Sequence, residues 1–549
     1  MFNISSLRQN IAGSCFILKK RALLIAFIIF SIFSLTGIRI YDLSTDEMQV
    51  SVTPSSKTID IATLKGTIYD CKMRGLTNSE YDIYAAAKPT NEALALLKGN
   101  VMPDIFESVM DRLSKGNPVA VKVDKRIDST ENIITADVPK RYSAAFSACH
   151  IIGSLGADGR GISGIEKAYD SLLSDNNSKV SFVFYANAGG RIMLGEKIEI
   201  RGNVSPKNGV VLTLDKDIQS ITEAVLDASG AECAAAVVID TESGAIRACV
   251  SRPSFNQYDI SESLDDEKSP LINRALLPFS VGSVFKPVVA AAALESGISE
   301  NFEYNCMGSV DYNGVTFHCH KKDGHGLLDM KGAVANSCNT YFIELALKTD
   351  REKLVETASA FGFGKKIFIS DGMESSKGFL PSVAELDSKA AVANFSFGQG
   401  SLLATPLQIC SLMATIARNG VYIEPYLIEG KCDEDGDFTR IYHHSNKKQV
   451  ITVQTAEKLK GFLEAVVESG SGSKAKSDFV TVAGKTATAQ TGRIQNGEEI
   501  YNAWFAGYFP ADNPKYAVAI LKENGGEGAL SCAPVFKMIA EKITAYVNS

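Results

Sequence analysis

A serine and a lysine stand three residues apart at Ser283 and Lys286, inside the run LLPFSVGSVFKPVVAAAALESG from Leu276 to Gly297. Between Ala275 and Leu294 Lys286 is the only charged residue, and Ser280 and Ser283 carry the only hydroxyls. On a helix this spacing puts both side chains on one face, within hydrogen-bonding reach. Apolar surroundings disfavour the ammonium, so a buried lysine falls from about 10.4 toward neutrality. A neutral amine beside a hydroxyl is a general base, and the pair predicts a serine nucleophile activated without histidine. Pro287 fits only near a helix start, which predicts Ser283 in the first turn, where unpaired N–H groups and the helix dipole favour a developing alkoxide. The competing reading is a core lysine that snorkels to the surface. The same spacing recurs at Ser445/Lys448, Ser471/Lys474 and Ser473/Lys476, but in polar, solvent-like stretches.

Two later segments add to the pair: Ser337-Cys338-Asn339, and Lys485-Thr486-Ala487-Thr488 on an apolar run. Ser-x-Asn alone carries no information and Lys-Thr-x little, but the ordered triple resembles the signature of penicillin-binding proteins and serine β-lactamases. The resemblance extends over most of the chain. KGTIYDCKMRGLT (Lys65 to Thr77) is similar to the element that opens class B, monofunctional penicillin-binding proteins, and GRGISGIEKAYDSLL holds a similar Gly-x-Glu-x-x-Tyr segment. PLINRALLPFSVGSVFKP, SFGQGSLLATPLQ and NAWFAGYFP resemble stretches that flank the active site.

The resemblance implies a peptidoglycan D,D-transpeptidase that needs no cofactor and no metal. Ser283 would attack the penultimate D-Ala carbonyl of a stem peptide and Lys286 would take its proton. Ser337 would relay a proton to the leaving amine, and Asn339 would contact Lys286 and the substrate amide. Lys485 would bring positive charge near Ser337 and the substrate carboxylate, which Thr486 and Thr488 would bind, and the N–H groups of Ser283 and Thr488 would form the oxyanion hole. The partners implied are peptidoglycan stem peptides as donor and amine acceptor, β-lactams as acylating inhibitors, the membrane, and a SEDS-family glycosyltransferase.

Three departures stand out. Ala487 replaces a glycine, so its methyl is expected to crowd substrate or restrict the strand. Val281-Gly282 stands where Pro-Gly is common, and Cys71 replaces an arginine, weakening the expected salt bridge. Ala487 motivates one alternative, a catalytically weak β-lactam-binding scaffold; the other, a hydrolase of the β-lactamase or D,D-carboxypeptidase kind, is set against by the large region ahead of the motifs, which a hydrolase of a small molecule would not need.

These residues need a frame. The pattern predicts an α+β protein: a penicillin-binding/β-lactamase-like transpeptidase domain over 206–549, with an antiparallel sheet covered by helices, on an extended α+β pedestal over 41–205. AAAVVIDTESGAIRACVS reads as two strands around Glu242 to Gly244; NAWFAGYFP and YAVAILKE read as further strands, and PVFKMIAEKITAYV as a helix. In the pedestal VAVKVD, NIITADV and VSFVFYA read as strands and SGIEKAYDSLLSD as one helix, after a polar tether at 41–64. Ahead of it, Ala22 to Ile38 is apolar or small over seventeen residues, about 26 Å as a helix. It is read as an uncleaved single-pass anchor over 22–40 behind a cytoplasmic stub, 1–21, whose charges are Arg8, Lys19, Lys20 and Arg21. A net charge of −7 provides no basic field for nucleic acid.

Of eleven cysteines, Cys15 falls on the cytoplasmic side and ten beyond the anchor. Cys306 and Cys319 are the pair most suited to a disulfide across a turn-rich loop, with inert thiols as an alternative. With His318, His320 and His325 they also raise a zinc reading, set against by spacing unlike standard fingers and by neighbours that point to opposite strand faces. Cys338 reads as a small filler turned away from the cleft, Trp504 as core beside the site, and His443/His444 as part of a polar loop.

Overall fold

The computed structural model describes residues 4–45, 55–174, 179–312, 314–441, 447–495 and 497–549. Ser445, His443, His444, Asp175 and residues 46–54 of the expected tether lie outside the described residues.

Helix Ile4–Thr45 is continuous and carries a 23-residue apolar stretch, Lys19–Tyr41, of mean hydropathy 2.3, with none of it buried against the rest of the chain. At 1.5 Å per residue it covers about 34 Å, which fits a membrane anchor.

The next region holds two three-stranded sheets. Glu80–Ala87 lies between Val119–Val123 and Ile133–Lys140, and Lys179–Ala186 lies between Ser55–Thr63 and Glu199–Arg201. The segment read as one helix from Ser163 is two, Gly164–Ala168 and Asp170–Leu173. The chain bends at Tyr169, where the Asp170 carboxylate accepts the Gly161 N–H at 2.9 Å and pairs with Lys65. Ile165, Tyr169 and Leu173 are buried together all the same. Glu166, fully buried, accepts two hydrogen bonds from Arg141 at 2.6 and 2.9 Å and one from the Tyr142 hydroxyl at 3.1 Å. Arg141 also donates to Gly66 O at 2.7 Å, fastening this segment to the Lys65–Thr77 element.

The loss of an arginine at Cys71 does not leave that element unpaired. Arg74 supplies the guanidinium instead, donating to Asp70 at 2.6 and 2.8 Å, to Asp215 at 3.0 Å and to Asp217. Asp215 in turn caps helix Lys216–Ala228. Strand Thr67–Tyr69 pairs in parallel with Gly209–Leu212, which pairs with Ile428–Cys432, so one sheet joins distant parts of the sequence.

The expected antiparallel sheet is present with five strands, in the order Ile246–Arg252, Ala234–Asp240, Tyr516–Lys522, Glu498–Phe509, Ala483–Gln495. One face (Ala236, Val238, Phe505, Val518, Ile520) packs on helices Lys216–Ala228 and Ala533–Val547. The other (Val237, Ile239, Trp504, Ala506, Ala519) packs on Pro406–Ala417, a helix buried at every position and therefore apolar all round. Coverage on both faces explains why these strands read as continuous apolar runs. The last strand is an edge, one side of its backbone open.

The expected Cys306–Cys319 disulfide is not formed: all ten cysteines beyond the anchor are free. A third cysteine and a histidine share their space, as described below.

Candidate active site

Ser283 sits in a 3-10 turn, Gly282–Phe285, that feeds helix Lys286–Glu295. The helix was expected to begin earlier; instead the Lys286 N–H closes the tighter turn on Ser283 O, and Pro287, lacking an N–H, occupies the first helical turn. Three ties hold the turn. Gly282, at φ +60, donates its N–H to Gly398 O at 2.9 Å; Phe279–Ser280 pairs with Leu403–Ala404; and the indole N–H of fully buried Trp504 donates to Ser280 O at 2.9 Å. Gly398 is required here, since a Cβ on it would stand 2.2 Å from Gly282 O. Val281, Gly282, Val284 and Phe285 are buried while Ser283 is only partly so, which leaves its side chain as the opening in the turn. Trp504 is thus core packing that also braces the turn.

Lys286 is completely buried. Its amine donates to Ser337 O at 2.7 Å, to Asn339 Oδ1 at 2.8 Å and to Ser337 Oγ at 3.3 Å, and stands 5.5 Å from the centre of the Phe342 ring. Burial pulls it down to about 8, with the field of Cys338 and Cys319 offsetting part of the fall. No hydrogen bond joins this amine to Ser283 in the structure. The partner that the spacing predicts is three residues away, whereas the partners the fold supplies are more than fifty residues away.

Ser337 and Asn339 occupy the junction between helices Met330–Ala335 and Asn339–Lys348. Ser337 has φ +53, a left-handed conformation that costs a non-glycine residue about 1–3 kcal/mol and aims its carbonyl at the amine. Asn339 is held from behind, its Nδ2 donating to His318 O at 3.1 Å.

Lys485 is also fully buried on the edge strand, its amine donating to Thr486 O at 3.1 Å. Burial first and the nearby Lys286 second hold it well below the ordinary lysine value. Thr486 Oγ1 shares a hydrogen bond with Ser471 Oγ at 3.1 Å, and the Ser471 N–H donates to Ala335 O at 2.9 Å. Ser471 was read as part of a solvent-like stretch; it is instead half-buried beside the strand, and no sequence signal beyond its Gly-Ser-Gly setting marks it. Ala487 points under the cleft: it is 4% exposed, pairs across the sheet with Trp504, and its methyl lies 3.4 Å from the position of a Cβ on Gly282. Thr488 is exposed, with its hydroxyl accepting the Gly528 N–H at 3.2 Å.

Behind Asn339, Cys306, Cys319, His325 and Cys338 bring four donor atoms within 4.8 Å of one another. His318 and His320 are not among them: His318 lends a carbonyl to Asn339, and His320 lies against the His325 ring at 5.0 Å. Cys338 is buried, as a filler would be, but within this thiol cluster.

The sequence model of the "Penicillin binding protein transpeptidase domain" matches residues 234–541. The chain is 31% identical over 416 residues to stage V sporulation protein D of Bacillus subtilis, covering 73% of this chain and 62% of that protein. It is 30% identical over 474 residues to penicillin-binding protein PbpB of Mycolicibacterium smegmatis, covering 80% and 71%. Among solved structures, penicillin-binding protein 3 of Mycobacterium tuberculosis complexed with aztreonam is 25% identical, with a TM-score of 0.64 over 90% of this chain and 97% of that one.

Proposed function

Because the chain belongs to the penicillin-binding protein transpeptidase family, we propose that it is a membrane-anchored peptidoglycan D,D-transpeptidase working through an acyl-enzyme on Ser283. The observation that carries this reading is the buried amine of Lys286, held by Ser337 and Asn339, on the helix that the partly open Ser283 leads into.

The hydrogen-bond count gives the amine its role. Protonated, it has three N–H bonds and three acceptors within reach, so no lone pair is left for Ser283. Neutral, it keeps the two short bonds and its lone pair is free to accept the serine proton. With Lys286 at about 8, roughly a tenth of the molecules hold the neutral amine at pH 7. Ser283 Oγ then attacks the penultimate D-Ala carbonyl while its proton moves to Lys286. The C–N bond to the terminal D-Ala breaks, the leaving amine takes a proton through Ser337, and the acyl group remains on Ser283 as an ester. The amine of a second stem peptide attacks that ester, loses a proton, and restores the serine hydroxyl as the cross-link forms.

The N–H groups of Ser283 and Thr488 serve as the oxyanion hole, each donor of this kind being worth about 3 kcal/mol. The open edge of Ala483–Gln495 takes the extended stem peptide as an added strand. Two buried amines cannot both be charged cheaply, so a substrate carboxylate arriving at Lys485, Thr486 and Thr488 draws a proton onto Lys485 and removes the conflict. A β-lactam, as in the aztreonam complex of the mycobacterial relative, acylates Ser283 in place of the peptide.

Residues 41–205 act as a pedestal and 206–549 as the catalytic domain. The N-terminus lies in the cytoplasm, as the basic residues before the anchor require, and a SEDS-family glycosyltransferase supplies the glycan strands. The buried placement of the Ala487 methyl favours an active enzyme over a scaffold.

Labelling with a fluorescent penicillin, followed by mass spectrometry of the adduct, tests the reading. Ser283 is expected to carry the label and Ser283→Ala to lose it; equal labelling of both chains overturns it.

A further inference from the structure

We propose that Cys306, Cys319, His325 and Cys338 bind one zinc ion, and that this site positions the Ser337–Asn339 segment of the active site. The second half rests on the transpeptidase reading; the first stands alone.

Geometry carries the argument. Zinc takes thiolate at about 2.3 Å and imidazole at about 2.0–2.1 Å, and a tetrahedron of those bonds has edges of about 3.8 Å between sulfurs and about 3.5 Å between sulfur and nitrogen. Here Cys319 Sγ lies 3.9 Å from Cys338 Sγ, and His325 Nδ1 lies 3.5 Å from Cys306 Sγ and 3.4 Å from Cys319 Sγ. All four donors fall within 4.8 Å of each other. Three thiolates and one imidazole are a closed structural ligand set, with no position left for a reacting water. The three cysteines are buried, at 1%, 3% and 0% exposure.

The ligands come from segments that the backbone already braces together. Strand Tyr304–Cys306 pairs with Gly326–Leu328, which brings His325 beside Cys306, and the Cys319 N–H donates to Gly308 O at 2.8 Å. Strand Val315–His318 ends just before Cys319, and of the three neighbours His318, Cys319 and His320 only Cys319 contributes a donor atom. A disulfide between Cys319 and Cys338 would employ two of the four donors and leave Cys306 and His325 without a purpose.

The site touches the catalytic machinery at two points. Cys338 is the residue between Ser337 and Asn339, and Cys319 follows His318, whose carbonyl holds the Asn339 amide. An ion bound to both cysteines fixes Asn339 from two sides, and with it the acceptor that orients the Lys286 amine. These are positioning residues: none is placed to touch substrate.

The experiment uses the full-length chain, purified in detergent under reducing conditions from zinc-replete cells. Elemental analysis is expected to find about one zinc per chain, and exchange into Co²⁺ to give the intense visible bands of tetrahedral cobalt thiolate. Cys306→Ser and His325→Ala are expected to lose the metal, while Ser283→Ala keeps it. Removing zinc with a chelator is expected to slow penicillin acylation at least about tenfold, and adding zinc back to restore it. A chain that purifies without metal and gives no cobalt spectrum overturns the site, as does a Cys319–Cys338 disulfide in the untreated protein. These measurements on the wild-type chain decide the matter even if a variant fails to fold. Zinc present in a chain that penicillin never labels would sink the transpeptidase reading and the positioning role while leaving the metal site intact. Stoichiometric zinc whose removal leaves acylation unchanged overturns the positioning half alone.

Discussion

Replacing Asn339 by aspartate tests the role of the Lys286 amine directly. Asn339 Oδ1 is a neutral acceptor 2.8 Å from Nζ. Asn339→Asp keeps the shape and the hydrogen bond but adds a negative charge, and an opposite charge at this range favours the ammonium by about 1–3 pKa units. From about 8, the middle of that range moves Lys286 to about 10. The neutral fraction at pH 8 then falls from about one half to about 1%, a slowdown of about 50-fold. The assay is the second-order rate of acylation by a fluorescent penicillin, measured by rapid mixing from pH 6 to 10.5. For the wild type the rate is expected to rise with pH, because the base is the deprotonated form, and to level off above a midpoint near 8. The variant's profile is expected to have the same shape, displaced to higher pH, and to recover most of its rate at the alkaline end. That recovery separates a titration effect from a lost substrate contact or a damaged fold, neither of which is restored by base. A variant midpoint within half a unit of the wild type's, or a deficit constant across the whole range, refutes the assignment of Lys286 as the base.

Three further outcomes are expected. Trp504→Phe removes the donor to Ser280 O, costing about 1 kcal/mol of stability and slowing acylation through a loosened turn; unchanged thermal unfolding and acylation count against that brace. Arg141→Met strands Glu166 as a buried, unpaired carboxylate, and denaturant titration is expected to show a loss of about 3–5 kcal/mol in the unit that contains it, with a loss below 1 kcal/mol contradicting the pairing. Ala487→Gly deletes a buried methyl, so it is expected to cost about 1 kcal/mol and to raise the acylation rate less than about threefold; a tenfold gain would mean that the methyl crowds the substrate after all.

The segment around Glu166 is tied to the sheet that carries the site through a series of hydrogen-bonded links. Arg141 ties Glu166 to the Lys65–Thr77 element, Arg74 of that element binds Asp215 at the head of helix Lys216–Ala228, and that helix packs on the sheet whose far edge carries Lys485.

The residue order Ser283-x-x-Lys286, Ser337-x-Asn339, Lys485-Thr486 was legible because each motif is local, and the strands and the anchor were legible because their apolar patterns are local too. Spacing reports which residues share a face within a few turns of chain. It does not report which loops close on one another, since that depends on the packing of whole elements. The tertiary structure therefore decided that Lys286 takes its partners from Ser337 and Asn339 rather than from the serine three residues before it, and that Ser471 leaves its polar stretch to meet Thr486. It also decided that four scattered residues, Cys306, Cys319, His325 and Cys338, gather behind Asn339, where the sequence left open a disulfide, inert thiols or an irregular set of ligands. Local pattern fixed the parts; burial of two sheet faces under distant helices fixed where their side chains meet.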